Sequence, residues 1–192
     1  MAGYDRNIVT SHSHVWRKQC GVTMVELIAV MIIIGVLGAV AASRYLDRAG
    51  FDADAFTAQA RSMLRYAQKV AVAQNRNVYV RLDGNSVALC FNTSCEASGR
   101  VIAPSGANSG SAATREHCDN SDTWFCEAAP AGISYTSTGS GSLFRFDALG
   151  KPFKNGDADT SAVSNFVRTQ ITIAGDGSTR TITVEPETGY VF

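Results

Sequence analysis

Histidine and charged residues are scarce in this sequence of 192 residues, and each shortage argues against a class of function. His12 and His14 lie near the N-terminus, so a histidine-activated nucleophile in the rest of the chain would have to be built around His117. No phosphate-binding loop of the Walker type is present, because the glycine-rich run at 139–142 has no lysine partner. Charged residues make up 18% and formally cancel to +0, which argues against a generally basic nucleic-acid binder. We therefore predict that the protein is not an enzyme and uses no cofactor.

A second long apolar run is also missing, and the run that is present accounts for one membrane span. The only ionisable side chain in residues 22–42 is Glu26, and at about 1.5 Å per residue a helix of this length matches the thickness of the bilayer core. Arg6, Arg17 and Lys18 precede the run, and the positive-inside rule keeps that end in the cytoplasm. We predict a single-pass membrane protein with a modest domain outside.

The position of Gly21 distinguishes this N-terminus from an ordinary signal peptide. In a signal peptide the small residue at the cleavage site follows the apolar region, whereas Gly21 precedes it. Residues 18–27 (KQCGVTMVEL) resemble the leader junction of type IV prepilins, with glycine at the cut, a hydrophobic residue first and Glu26 fifth. The resemblance implies that a prepilin peptidase cuts after Gly21 and methylates the new amine of Val22. It also implies that Glu26 serves assembly with other pilin subunits.

Two features depart from the common pattern of that family. The first mature residue is commonly phenylalanine and is here Val22, and the leader of 21 residues is longer than many. The alternative is an ordinary single-span anchor in which Glu26 has no role. An acidic residue one turn into an apolar span is expensive and rare, which favours the prepilin interpretation.

Five cysteines become an even set once Cys20 is assigned to the leader. The four that remain are Cys90, Cys95, Cys118 and Cys126. Four cysteines allow three pairings. The simplest joins Cys90 to Cys95 and Cys118 to Cys126, which closes two short loops outside the cell, where disulfides persist. A zinc site that uses these cysteines with His117 is the alternative, but the spacings match zinc sites poorly.

The hydrophobic period changes from helical to alternating near residue 77. Apolar residues recur at three- and four-residue steps from Phe56 to Ala71, which predicts an amphipathic helix. Alternating segments then predict a hairpin at 78–91 and strands at 133–136, 143–146, 166–174 and 178–185, with 190–192 able to add to the sheet. The intervening residues 92–132 lose periodicity and have a centre of small residues at 104–113. They predict an exposed loop that Cys118 and Cys126 tie down around Trp124 and Phe125.

These segments predict an α+β fold with four parts. The parts are a leader at 1–21, a transmembrane helix at 22–42, an amphipathic helix at 43–76 that continues the span, and a β-rich globular head at 77–192. We expect the long helix to cover one face of an antiparallel sheet.

Parts of the helix and of the head narrow the resemblance to one family. Segments 62–68, 71–78, 146–150, 181–185 and 188–191 resemble the pseudopilin H and minor-pilin T family. The cysteine-bearing head and the segment 51–56 resemble minor pilins of the mannose-sensitive haemagglutinin type of pilus. The resemblance implies a minor pilin of the bacterial inner membrane, with a periplasmic head that enters an extracellular pilus or a periplasmic pseudopilus. The alternative within this class is a type II secretion pseudopilin.

DNA uptake and calcium binding are two further alternatives. Some minor pilins that resemble this chain bind DNA near the C-terminal hairpin, where Arg180 and Arg168 are the candidates. Without residues 1–21, which hold three basic residues and one acidic residue, the chain has 14 basic and 16 acidic residues, so nucleic-acid binding is not expected. Asp157 and Asp159 alternate as calcium ligands do, but no third carboxylate follows at the spacing of a calcium loop, and we predict no metal site.

Overall fold

The structure is a computed structural model that describes residues 22–175 and 177–192, with the side chains of residues 42–49 excluded. The predicted leader, including Gly21, lies outside the described residues. The chain separates into two compact units, Met1–Ala41 and Ala42–Phe192.

Two α-helices, one short 3₁₀ helix (Ala97–Gly99) and eight strands make up the regular structure of the described residues. The helices are α1 (Met24–Gln74) and α2 (Ala112–His117). The strands are β1 (Val78–Leu82), β2 (Ser86–Cys90), β3 (Cys126–Ala128), β4 (Ser134–Thr138), β5 (Leu143–Phe146), β6 (Pro152–Lys154), β7 (Thr169–Gly175) and β8 (Ser178–Val184). The predicted α+β class is confirmed.

In the first unit, α1 is apolar on all sides. The segment Met24–Ala41 has a mean hydropathy of 2.6, and none of it is buried. By length and composition this segment can cross a membrane, and it is the one such helix among the described residues.

In the second unit, α1 is amphipathic. Its buried residues recur at three- and four-residue steps: Ala53, Phe56, Ala60, Met63, Leu64, Ala67, Val70 and Ala71. The helix ends because Asn75 adopts a left-handed conformation with φ of 51°, which lets the N–H of Arg76 donate to the carbonyl of Ala71. The buried stripe forms one apolar core with residues from both sheets described below.

The larger sheet has five antiparallel strands in the order β3-β2-β1-β5-β6. The predicted hairpin is β1 and β2, paired with Leu82 opposite Val87 and turning at Gly84, whose φ is 92°. Strand β5 pairs with the other edge of β1, with Phe144 opposite Val80.

The smaller sheet has three antiparallel strands in the order β4-β7-β8. In its hairpin, Ile171 lies opposite Ile182. The C-terminal residues add a short ladder to β8, because Thr183 and Phe192 exchange backbone hydrogen bonds of 2.8 and 3.1 Å. The antiparallel β-structure expected of the head is confirmed, and its strands divide into two sheets. The sequence does not predict this division, since periodicity identifies strands but not their partners.

Two short strands were missed by the periodicity. Residues 92–132 do not form one exposed loop, because β3 pairs with β2 at the edge of the larger sheet and Trp124 is 1% exposed. The expected exposure is found in the small-residue centre at 104–113, in which no residue is buried. Pro152 starts the edge strand β6, where its missing N–H is tolerated. Strands of three residues are too short to show an alternating pattern.

Candidate functional site

The first turn of α1 is the described part of the predicted cleavage and assembly site. The Oγ1 atom of Thr23 accepts a hydrogen bond of 3.2 Å from the N–H of Glu26, and the Thr23 carbonyl accepts one of 3.2 Å from the N–H of Leu27. Thr23 is therefore the N-cap, and Glu26 occupies the third helical position, where a carboxylate interacts favourably with the helix dipole. This cap is not among the sequence-based predictions above, although threonine three residues before glutamate is a capping signal.

Glu26 lies on a surface that is otherwise apolar. The neighbouring side chains of Val22, Met24 and Val25 are 68%, 82% and 76% exposed. An exposed apolar surface of this kind requires lipid or a partner helix. A carboxylate in lipid is costly when it has no cation nearby. The helix start therefore presents an acidic group that a positively charged partner would stabilise.

The four cysteines of the head form two disulfides. Cys90 is bonded to Cys95 and Cys118 to Cys126, with Cα atoms 5.3 and 5.9 Å apart, separations that are usual for disulfides. These are the two short loops that the sequence favours. A zinc site with His117 would need thiolate ligands, whereas these sulfur atoms are bonded in pairs.

Trp124 packs in one apolar cluster with both disulfides. Its Nε1–H donates to the carbonyl of Leu89 at 2.9 Å. The guanidinium carbons of Arg100 and Arg81 lie 4.3 and 5.4 Å from its ring centroid, within the range of cation–π attraction. Trp124 thus fastens the irregular segment before β3 to strand β2.

The candidate DNA-binding residues lie at opposite ends of the β7–β8 hairpin. Arg168 directly precedes Thr169, which pairs with Val184, whereas Arg180 pairs with Ile173. Arg168 is thus five residue steps from the level of Arg180, or roughly 17 Å along the strand. The fold therefore does not bring the two arginines side by side.

Each of these arginines has an acidic partner. The Nη2 atom of Arg168 lies 3.0 Å from the carboxylate of Glu185, and the Nε atom of Arg180 lies 2.6 Å from that of Asp54. The hydrogen bond from Arg180 is the main cause that lowers the pKa of Asp54. The stabilisation from this pair is therefore present at neutral pH and is lost only as the pH falls through the lowered pKa.

The candidate calcium ligands fasten the loop between β6 and β7. Burial raises the pKa of Asp157, but hydrogen bonds led by those from the Asn165 side chain and backbone, 2.8 and 3.0 Å long, outweigh it and lower the pKa overall. The Oδ1 atom of Asp159 accepts from the Tyr79 hydroxyl at 3.1 Å and lies 3.4 Å from Nε of Arg145. Among the described residues, no group of three or more histidine, cysteine or acidic residues could hold a metal.

Arg145 is a buried cation that the alternating pattern does not reveal. It is 2% exposed, and its Nη1 and Nη2 atoms donate to the carbonyls of Asp157 and Ala158 at 2.9 and 2.8 Å. Its guanidinium carbon lies 4.9 Å from the ring centroid of Phe153. Its partners lie on a loop 12 and 13 residues further along the chain, so no local sequence signal marks it.

Comparison with known protein families assigns a motif to the N-terminal segment. Residues 16–42 match the family model described as the prokaryotic N-terminal methylation motif. The match includes Gly21, Val22 and Glu26. It covers less than half of the chain and therefore characterises this segment alone. No curated protein sequence matches the chain significantly.

Among solved structures, similarity is found at a low level. The type IV minor pilin FimU of Pseudomonas aeruginosa (strain PAO1) aligns with a TM-score of 0.42 and 16% identity, over 76% of this chain and 87% of FimU. The minor pseudopilin EpsH from the type 2 secretion system of Vibrio cholerae aligns with a TM-score of 0.43 and 11% identity, over 75% of this chain and 94% of EpsH. Values of this size assign neither a family nor a function.

Proposed function

We propose that this chain is a minor pilin, a structural subunit of a type IV pilus that is cleaved after Gly21 and methylated at Val22 by a prepilin peptidase. The observation that carries the proposal is the methylation motif at 16–42, which coincides with an exposed apolar helix whose first turn holds Glu26. In this function the protein is not an enzyme. It is held in the inner membrane with its head in the periplasm and then joins other pilin subunits in an extracellular filament.

The finer proposal is a minor pilin of the pseudopilin H and minor-pilin T type, from a pilus of the mannose-sensitive haemagglutinin kind. It is supported by the sequence resemblance of segments 62–68, 71–78, 146–150, 181–185 and 188–191, and by that of the cysteine-bearing head and segment 51–56. A type II secretion pseudopilin would share the leader and the anchor. The genes beside this one would separate the two, because a pilus operon and a secretion operon encode different machines.

Removal of the leader is the direct test of the proposed function. In cells with an active prepilin peptidase, the membrane-extracted protein should begin at Val22 and carry one added methyl group. Intact-mass measurement detects both changes at once. The control is the same protein from cells without the peptidase, which should retain residues 1–21. A chain that keeps its leader when the peptidase is active would contradict the pilin assignment.

Binding of DNA should be weak or undetectable at physiological salt. Arg168 and Arg180 are engaged by acidic side chains, and Lys151 lies 2.9 Å from the carboxylate of Glu187. Since affinity for DNA grows with the number of phosphates neutralised, we expect a dissociation constant no tighter than about 1 μM. A mobility-shift assay over a salt series measures it. Submicromolar binding that Arg168→Ala or Arg180→Ala abolishes would support a DNA-receptor function instead.

A further inference from the structure

The outward face of α1 in the second unit carries a row of three cations. Arg61, Arg65 and Lys69 recur at four-residue steps and so form one ridge along the helix, here named the cation ridge. The neighbouring row contains Ala58 and Ser62, which are short and exposed. A surface cavity of about 370 Å³ is lined by Ala58, Arg61, Ser62, Arg65, Tyr66 and Lys69.

The cation ridge has no acidic partner in the part of the chain that the structure describes. None of the six ion pairs among those residues includes a member of the ridge. The Nε atom of Arg61 is buried and makes no hydrogen bond, and that of Arg65 donates to the Val191 carbonyl at 3.0 Å. Like charges four residues apart destabilise a helix, so the ridge has an unfavourable charge arrangement that an anion would relieve.

A second copy of this chain is poorly suited to supply that anion through its own α1. Between residues 50 and 74 the helix has two acidic residues, Asp52 and Asp54. Asp54 is already paired with Arg180, and Asp52 lines a separate cavity beside Glu127. A parallel copy would also bring its own cations towards the ridge. The charge pattern thus disfavours pairing of like subunits along this face.

We propose that the cation ridge docks an acidic helix of a different subunit, one that presents carboxylates at four-residue spacing. The inference rests on the proposed function, because it assigns a charge to the subunit that packs beside this one. A carboxylate ridge fits the groove over Ala58 and Ser62 in the ridges-into-grooves manner, and arginine guanidinium groups bind carboxylates through two parallel hydrogen bonds. Nucleic acid and anionic lipid are less well suited to occupy the cation ridge. The chain without its leader has more acidic than basic residues, so it attracts polyanions weakly at long range.

The first arm of the test measures assembly of the full chain. Arg65→Gln/Lys69→Gln removes two ridge charges, whereas Arg115→Gln/Lys154→Gln removes two exposed charges elsewhere on the head. Exposed ion pairs are individually weak, so we expect recovery of the ridge variant in sheared filaments, relative to membranes, to fall about 3- to 10-fold. The control variant should match the wild type. Equal recovery of the ridge variant and the wild type would overturn the inference.

The second arm identifies the chemistry with a defined probe. The protein without its leader, residues 22–192, is held in detergent micelles and titrated with an alanine-rich helical peptide that carries three glutamates at four-residue spacing. A second titration uses the same peptide with glutamine in place of each glutamate. We expect the glutamate peptide to bind about 10-fold more weakly at about 500 mM salt than at about 50 mM. The ridge variant should bind it about 3- to 10-fold more weakly than the control variant at low salt.

Several outcomes contradict the proposal. Equal binding of the glutamate and glutamine peptides would mean that charge does not select the partner. Tighter ridge-dependent binding of a DNA oligonucleotide or of anionic vesicles would assign the ridge to that ligand, and ridge-dependent dimerisation would assign it to a second copy. The proposed function fails separately, because it is decided by leader removal and by wild-type recovery in filaments, which do not depend on the ridge.

Discussion

Replacement of Glu26 by alanine should lower recovery of this protein in sheared filaments at least about 10-fold relative to membranes, while cleavage after Gly21 continues. A charge at the centre of a lipid-embedded helix costs about 2.5–3.5 kcal/mol, which is an upper bound for Glu26 in the first turn, and about 1.4 kcal/mol already corresponds to a factor of ten in an equilibrium. If Glu26 of an incoming subunit pairs with the N-terminal amine of a subunit already in the filament, that cost favours docking in one axial register.

The geometry of the helix start supplies the matched control for this experiment. Thr23 is the observed N-cap, since its hydroxyl accepts the N–H of Glu26 at 3.2 Å. Thr23→Ala therefore disturbs the start of the helix but keeps the carboxylate, and Glu26→Gln keeps the shape but removes the charge. We expect both Glu26 variants to lose recovery and Thr23→Ala to retain most of it.

The opposite pattern would contradict the pairing hypothesis. If Glu26 only stabilises its own helix, Thr23→Ala and Glu26→Ala should have similar and small effects on assembly. Wild-type recovery of Glu26→Ala would show that this carboxylate does not select the docking register. Intact-mass measurement on the same membranes verifies that the leader has been removed in every variant.

Truncation of Trp124 to alanine should destabilise the head by about 3–5 kcal/mol. The side chain is 1% exposed, its indole N–H is bonded to the Leu89 carbonyl, and it packs in one cluster with both disulfides. Alanine leaves a cavity and removes one of the two hydrogen bonds to the Leu89 carbonyl, which keeps the one of 3.1 Å from the N–H of Val101. The segment around it has little other regular structure to hold it.

This loss of stability is measured by urea unfolding of residues 22–192 in detergent micelles, monitored by circular dichroism. The urea concentration at the midpoint of unfolding should fall, while the slope of the unfolding free energy against urea concentration stays constant. Trp124→Phe is the control, because it fills most of the volume but loses the hydrogen bond, and about 1–2 kcal/mol is expected for it. A loss below about 1 kcal/mol for alanine would mean that the disulfides hold this segment without the indole ring.

The arginines illustrate where sequence reasoning stops. Arg168 and Arg180 share the C-terminal hairpin, and their sequence positions alone allow a common basic patch. The register of β7 and β8 places them at opposite ends and beside Glu185 and Asp54. The alternating pattern at 143–146 predicts a strand and nothing particular about Arg145. In the structure, the loop after β6 supplies two carbonyls that accept hydrogen bonds from its guanidinium group. Such partners come from distant segments, which local patterns do not specify.

The sequence by itself determined the apolar anchor, the methylation motif around Gly21, the amphipathic half of α1 and the hairpin β1–β2. Each of these depends on residues within one or two turns or on one period of a strand, so local physical chemistry is sufficient. The tertiary structure decided the division into two sheets, the short strands β3 and β6, and the burial of Trp124 and Arg145. It also decided which cations lack acidic partners among the described residues, because ion pairs such as Arg180 with Asp54 join residues that are 126 positions apart.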